Sequence, residues 1–182
     1  MVPFRRPTNR TAEPMPSIKR LDAKAPRRNA LREYMLSTMN TGKSNGELDG
    51  EKGSAARAVL RFVQSGMIVG LGSGSTAAHF ITVLGDRLRR DGLRIEAVPS
   101  SLKIAAQAKQ VGVPLVEPRR GLRLDLTVDG ADEIAPDLGL IKGAGGALMR
   151  EKVLARASRH FLVIADSSKL VSRLGARAMR ML

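Results

Sequence analysis

The sequence contains no cysteine and no tryptophan, and its 182 residues include only one tyrosine and four phenylalanines. The lack of cysteine excludes disulfide bridges and thiolate metal sites. Because aromatic residues are so scarce, the core must be built from aliphatic side chains and alanine. A hydrophobic fraction of 43% is sufficient for a globular domain of this length.

Long apolar runs are also missing. No stretch approaches the roughly 20 consecutive apolar residues of a transmembrane helix. The N-terminus lacks the apolar segment of a signal peptide. These two observations predict a cytoplasmic protein that does not associate with a membrane.

Positive charge, by contrast, is abundant, with a formal net charge of +14. Residues 1–40 hold nine Lys or Arg and three acidic residues, so +6 of that charge lies in this segment. No zinc-ligand spacing, RNA-binding aromatic motif or leucine zipper accompanies the charge, which argues against nucleic acid as the partner. The remaining charge would equally attract a phosphorylated metabolite.

The first 46 residues differ in composition from the rest of the chain. Five of the nine prolines lie there, among arginine pairs and polar residues. Such a segment buries little apolar surface, so we expect 1–46 to be a disordered, basic, proline-rich extension. Residues 47–182 are then predicted to form one α/β domain.

Apolar patterns after residue 46 alternate between helical and strand periods. Helices are predicted over 51–64, 77–90, 102–111 and 146–158, and strands over 67–71, 93–98, 113–116, 124–128 and 161–165. This alternation predicts a Rossmann-like, mainly parallel sheet flanked by helices. Polar clusters at 72–76, 129–133 and 166–169 each follow a strand directly, so we expect them to converge at one edge of the sheet.

The sequence Gly72-Ser73-Gly74-Ser75-Thr76 joins a predicted strand to a predicted helix. Backbone amides in such a turn, together with the helix N-terminus, can hold a phosphate. One alternative is a plain turn in which Ser75 or Thr76 caps the helix. Another is a dinucleotide site, but Glu96, the acid it would require, falls inside the next predicted strand rather than at its end.

Four further charged residues are considered for acid–base chemistry. Asp129 and Asp132 follow a strand three residues apart, which suits proton transfer or, alternatively, simple turn capping. Lys142 heads a glycine-rich loop, where it could stabilise an oxyanion or be a solvated surface lysine. Glu151, by its pattern alone, is a surface ion-pair partner on a helix. His79 and His160 have no spacing partner, so no metal site is predicted.

Taken together, these residues resemble the type A family of ribose-5-phosphate isomerases. The matching segments are 70–77, 99–101, 112–115, 128–134, 141–152 and 165–169. The resemblance implies interconversion of ribose 5-phosphate and ribulose 5-phosphate through an enediolate, in the non-oxidative pentose phosphate pathway, with neither metal nor organic cofactor. The implied partner is a small sugar phosphate.

The resemblance also assigns roles. Glu151 would move the proton between C2 and C1, Lys142 would hold the enediolate oxygen, and Asp129 and Asp132 would bind sugar hydroxyls and help to open the furanose ring. The phosphate would be held by the 73–76 turn and Lys169, and Lys52 is a further candidate for this contact. The implied substrate contacts are Ser73, Gly74, Ser75, Thr76, Asp129, Gly130, Ala131, Asp132, Lys142, Gly143, Ala144, Gly145 and Lys169.

Beyond Gly175 the resemblance stops. Family members continue into a ferredoxin-like α+β domain, so we expect this chain to be C-terminally truncated relative to them. The homo-oligomer contacts, which make family members dimers or tetramers, are then not expected here. A non-catalytic sugar-phosphate-binding domain and an inactive truncated isomerase are the alternatives.

Overall fold

The computed structural model describes residues 42–176. Most of the predicted extension, residues 1–41, and the last residues, 177–182, lie outside the described part. The elements in chain order are α1 (Asn45–Val59), β1 (Ile68–Leu71), α2 (Ser75–Asp91), β2 (Glu96–Pro99), α3 (Leu102–Gln110), β3 (Leu124–Asp129), β4 (Glu133–Ile134), β5 (Leu140–Ile141), α4 (Leu148–Ala157) and β6 (Ser158–Val163). Short 3₁₀ helices cover Leu60–Phe62 and Ser167–Lys169.

The sheet has the predicted parallel arrangement. Its strand order is β2-β1-β3-β6, and each neighbouring pair is parallel. Residues of β1 alternate between the two faces, so Val69 and Leu71 pack with α1, α2 and α3, while Ile68 packs with Leu154 of α4. Because helices cover both faces, all four residues of β1 are buried. The prediction of an α/β fold is confirmed.

Helix α1 begins earlier than the predicted start at residue 51. Ser44 accepts a hydrogen bond from the Glu47 amide, and Glu47 in turn accepts one from the Ser44 amide, which is a capping box. The Ser-x-x-Glu signal was present in the sequence, but Gly46 and Gly50 dilute the helical pattern that follows it. Ordered structure therefore includes the last residues of the predicted extension.

The predicted strand at 113–116 is wrong. Leu115 forms only an isolated bridge with Ala97, which is flanked by the bonds Ala97 N→Pro114 O and Val116 N→Ala97 O. Pro114 has no amide hydrogen, so it cannot extend a ladder. The segment lies beside β2 without becoming a fifth strand of the sheet.

An antiparallel hairpin, formed by β4 and β5, was not predicted. Its strands have two residues each, paired as Glu133 with Ile141 and Ile134 with Leu140. Strands this short leave no alternating pattern in a sequence. The hairpin matters because it returns the chain to the sheet edge and presents Lys142 directly after β5.

No helix within residues 42–176 combines the length and the apolar character that crossing a membrane requires.

Candidate active site

The three predicted polar clusters meet at the carboxyl edge of the parallel sheet, as expected. They surround a pocket of about 140 Å³ above the ends of β1 and β3. The lining residues are Ser73, Gly74, Ser75, Thr76, Gly130, Ala131, Asp132, Lys142, Gly143, Gly145, Glu151 and Lys169. Two residues predicted to contact substrate, Asp129 and Ala144, lie outside this lining.

Lys142 is the central cation of the site. Its Nζ lies 2.8 Å from Oδ2 of Asp129 and 3.3 Å from Oε2 of Glu151. It also donates a hydrogen bond to the carbonyl oxygen of Gly130. The alternative of a solvated surface lysine is wrong, because only 15% of the Lys142 side chain is exposed.

Asp129, at the end of β3, is fully buried beneath Lys142, which explains its absence from the pocket lining. Its Oδ1 accepts hydrogen bonds from the amides of Ser73 (3.1 Å) and Gly130 (2.7 Å). Burial raises the pKa of the Asp129 carboxyl above its ordinary value, and Lys142 opposes that shift without cancelling it. The negative charge of Glu151 adds to the upward shift of this pKa.

Glycine at position 72 is a steric requirement of this arrangement. A Cβ at Gly72 would lie 2.1 Å from Oδ1 and 2.5 Å from Cα of Asp129. The ends of β1 and β3 can therefore approach closely only when residue 72 has no side chain. This contact brings the glycine turn onto the buried carboxylate.

Glu151 is buried rather than on the surface, so the interpretation of its helical pattern as a surface ion pair is wrong. It lies in the first turn of α4, and only 4% of it is exposed. Ser73 Oγ donates a hydrogen bond to Oε1 of Glu151. A signal was available in the spacing, because Glu151 and Leu154 lie three apart and are the two residues of α4 that face inward.

Two carboxylate oxygens in this cluster have unused hydrogen-bonding capacity. Oδ2 of Asp129 and Oε2 of Glu151 are buried and contact Lys142 Nζ as ion pairs, but no hydrogen bond of good geometry reaches either atom. Buried oxygens of this kind are rare in folded proteins. An incoming hydroxyl group could supply the missing donor.

Asp132 shapes the glycine-rich loop that covers one side of the pocket. Its Oδ2 accepts a hydrogen bond from the amide of Ala144 at 3.0 Å, and its own amide donates to the carbonyl of Ile141. The amide of Ala144 therefore holds the loop, and Ala144 itself is exposed and does not line the pocket. Gly143 has a φ of +111°, a conformation that favours glycine at this bend.

The 73–76 turn supplies the N-terminus of α2. The N-cap residue is Gly74, which has no side chain to bond the first-turn amides, so Ser75 and Thr76 do not cap the helix as the alternative supposed. Gly74, Ser75 and Thr76, at the positive end of the helix, line the pocket, where an anion would be stabilised. Lys169 lines the same pocket from the 3₁₀ helix after β6.

The dinucleotide alternative is not supported by the position of Glu96. Glu96 is the first residue of β2, so it lies at the amino edge of the parallel sheet, opposite the pocket. The acid that would bind a ribose is expected at the carboxyl end of that strand. Pro99 occupies that end instead.

The remaining candidates lie apart from the pocket. His79 contacts Asp49 at 3.0 Å, and His160 pairs with Leu126 inside the sheet. Within residues 42–176, no group of three or more His, Asp or Glu is arranged to hold a metal ion. Lys52, the further candidate for the phosphate contact, does not line the pocket; its Nζ lies 3.8 Å from Oδ1 of Asp49 on α1.

Comparison with known proteins points to one enzyme family. Residues 96–181 match the family model "Ribose 5-phosphate isomerase A (phosphoriboisomerase A)". Ribose-5-phosphate isomerase A of Nitrobacter hamburgensis is 55% identical over 128 residues, which cover 70% of this chain and 55% of that protein. Over the matched residues, this chain is therefore similar to members of the ribose-5-phosphate isomerase A family.

Solved structures extend the likeness to the fold. Ribose-5-phosphate isomerase A of Methanocaldococcus jannaschii superposes with a TM-score of 0.68 at 40% identity, covering 74% of this chain and 58% of that one. A D-ribose-5-phosphate isomerase in complex with phospho-erythronic acid gives a TM-score of 0.68 at 39% identity, covering 70% and 56%. The chain thus spans a little over half the length of these family members.

Proposed function

We propose that this chain is an aldose–ketose isomerase that interconverts ribose 5-phosphate and ribulose 5-phosphate through an enediolate. The observation that carries the proposal is the cluster in which Lys142 Nζ lies between the buried carboxylates of Asp129 and Glu151, at the floor of a pocket with an uncapped helix N-terminus on one side. Similarity to ribose-5-phosphate isomerases A over the matched region supports the same reaction.

The phosphate of the substrate would bind at the glycine turn. Ser75 and Thr76 in the first turn of α2 line the pocket together with Lys169, and their amides, hydroxyls and ammonium group would hold the phosphate. Anchoring one end of a pentose in this way would present its C1–C2 unit to the catalytic groups at a fixed distance. Glu151 and Lys142 line the same pocket.

Proton transfer is assigned to Glu151. As a carboxylate, it would remove the proton from C2 of the open-chain aldose and return it to C1. In the same sequence the aldehyde oxygen on C1 acquires negative charge and takes up the proton that the C2 hydroxyl releases, so that C1 ends as an alcohol and C2 as a carbonyl. Lys142 would stabilise the charge that develops on the enediolate oxygen. Ser73, through its hydrogen bond to Oε1, would fix the orientation of the base and leave Oε2 directed at Lys142.

The two aspartates would then have different tasks. Asp132 lines the pocket and would accept hydrogen bonds from sugar hydroxyls, which assists ring opening. Asp129 is buried behind Lys142, so we assign it to holding the lysine in place rather than to touching the sugar in the resting site.

The direct test is formation of ribulose 5-phosphate from ribose 5-phosphate by the 182-residue chain. We expect Glu151→Gln to lower turnover about 10²–10⁴-fold, the usual share of a general base, with the substrate Kd changed much less. The matched control is Glu117→Gln, which neutralises an exposed loop glutamate and should retain full activity.

The outcomes separate the candidate functions. Turnover in the wild type that is lost only in Glu151→Gln supports the isomerase. Near-normal turnover in Glu151→Gln would remove Glu151 from the role of base. Binding of ribose 5-phosphate by the wild type without turnover would refute the proposed reaction and leave a sugar-phosphate-binding domain.

A further inference from the structure

Helix α1 is tied to the 3₁₀ helix Ser167–Lys169 by a carboxylate that the proposed reaction does not use. Oε2 of Glu51 accepts a hydrogen bond from the Ser167 amide at 2.7 Å, across 116 positions of sequence. Oε1 of Glu51 accepts one from Lys43 Nζ, which also lies 3.1 Å from Ser167 Oγ. Glu51 and Lys43 therefore bind both the backbone and the side chain of Ser167.

Two carboxylates share the N-terminal amides of this turn. Asp166, which is 2% exposed, accepts hydrogen bonds from the amide of Ser168 at 3.0 Å and from its hydroxyl. The Ser167 amide donates its hydrogen bond to Glu51 instead. Asp166 fixes the turn from within its own chain segment, whereas Glu51 fixes its position relative to α1.

Lys169 is the residue that this turn delivers to the pocket. It lies two residues after Ser167 and lines the pocket together with Ser75 and Thr76. Among the residues that the structure describes, it has no ion-pair partner. Its cation is therefore unneutralised where the proposed function requires the phosphate of the substrate.

We propose that Glu51 is a positioning residue for the phosphate subsite, acting through the Ser167 amide to hold Lys169 within reach of the substrate phosphate. This inference rests on the proposed function for the identity of that anion. The Lys43 ammonium and the Ser167 amide lower the pKa of Glu51 to about 2, so Glu51 is ionised at neutral pH and the contact is complete there.

The sign of the effect distinguishes positioning from simple electrostatics. Glu51 is negative, so if only its charge reached the pocket, removing that charge would strengthen the binding of a phosphate. If Glu51 instead orders the Lys169 turn, removing it weakens phosphate binding because the cation must be ordered at the moment of binding. The two explanations therefore predict opposite changes in affinity.

The experiment measures calorimetric Kd values of the full chain for ribose 5-phosphate, with ribose as the probe that lacks the phosphate. We expect Glu51→Ala to raise the Kd for ribose 5-phosphate about five- to tenfold, as for the loss of one hydrogen bond of ordinary net strength. Glu51→Gln, which keeps an oxygen for the Ser167 amide, should give a smaller increase. Glu47→Gln, which removes the same charge from α1 at an exposed position and preserves the capping box, should leave the Kd unchanged.

A double-mutant cycle with Lys169→Ala tests whether Glu51 acts through the lysine. We expect Glu51→Ala to have no further effect on the Kd once Lys169 is removed. Additive effects of the two substitutions, or a tighter complex with Glu51→Ala or Glu51→Gln, would overturn the proposal. If Glu51→Ala lowers the melting temperature enough to unfold the chain, the comparison of Glu51→Gln with Glu47→Gln decides.

Failure of the proposed function would be recognised separately. A wild type that binds ribose 5-phosphate without converting it refutes the isomerase reaction but leaves the affinity cycle fully informative. A wild type that binds neither ribose 5-phosphate nor inorganic phosphate refutes both proposals. A wild type that isomerises the substrate while Glu51→Ala keeps its Kd and KM refutes only the positioning role.

Discussion

Removing the charge of Lys142 should lower the free energy of unfolding by an amount that the structure allows us to estimate. Lys142→Met keeps the length and apolar stem of the side chain but deletes the cation between Asp129 and Glu151. At 2.8 Å and an effective dielectric constant of about 20, one such charge pair has a gross Coulomb energy of roughly 6 kcal/mol. Much of this is offset by the desolvation of the charges, and breaking a buried pair usually costs about 3–5 kcal/mol. We expect about 3 kcal/mol at pH 7, because 15% of the Lys142 side chain is exposed.

A sharper test is how the loss of stability in Lys142→Met depends on pH. Lys142 opposes the upward shift of the Asp129 pKa, so its removal must raise that pKa further. A carboxyl whose pKa is higher in the folded than in the unfolded state lowers stability once the pH exceeds the unfolded value, here near 3.8. The stability deficit of Lys142→Met should therefore shrink as the pH is lowered from 8 toward 5.

Urea unfolding followed by circular dichroism measures this deficit at each pH. Lys109→Met, which removes an exposed lysine near the end of α3, is the matched control and should change stability by less than about 0.5 kcal/mol at every pH. A deficit for Lys142→Met below about 1 kcal/mol, or one that is constant with pH, would refute the view that the lysine compensates buried carboxylates.

Two further predictions concern the same buried cluster. Gly72→Ala would place Cβ 2.5 Å from the Asp129 Cα, so we expect the free energy of unfolding to fall by at least about 2 kcal/mol. The control is Gly130→Ala, in which the new Cβ has an ordinary nearest contact of 3.5 Å. Equal stabilities of the two variants in denaturant titrations would contradict the steric argument. Asp129→Asn removes a carboxyl whose folded pKa is raised, so its stability relative to the wild type should increase as the pH rises above about 3.8 and then level off. Thermal unfolding across pH 4–8 measures this difference, and a relative stability that falls with rising pH would show that Asp129 is net stabilising as an anion.

Local sequence signals were sufficient for the elements that form the sheet and its helices. The apolar runs of β1 and β3 and the amphipathic pattern of α2 predicted these elements because fully buried strands and half-buried helices leave clear periods. The placement of the polar clusters at one sheet edge followed from parallel topology alone. The strands β4 and β5 were not predicted, because two residues are too few to show a period in the sequence.

The sequence also indicated which charged residues make up the site, but it did not indicate whether each one is buried or what it bonds to. The segments around Asp129, Lys142 and Glu151 indicated the family, and the family indicated the roles. By pattern alone Glu151 was interpreted as a surface residue, because one acid beside two basic residues on a helix is typical of an exposed face. In the folded chain Glu151 is buried and accepts a hydrogen bond from Ser73, which lies 78 positions earlier in the sequence.

Local periodicity and chain order were enough to predict the fold class, the edge of the sheet where the ligand groups gather and the types of those groups. Three features became visible only in the folded chain: Asp129 lies beneath Lys142 instead of lining the pocket, Gly72 leaves the space for this contact, and Glu51 accepts a hydrogen bond from the turn that precedes Lys169. These features depend on contacts between residues far apart in the chain, whose distances and burial no local pattern encodes.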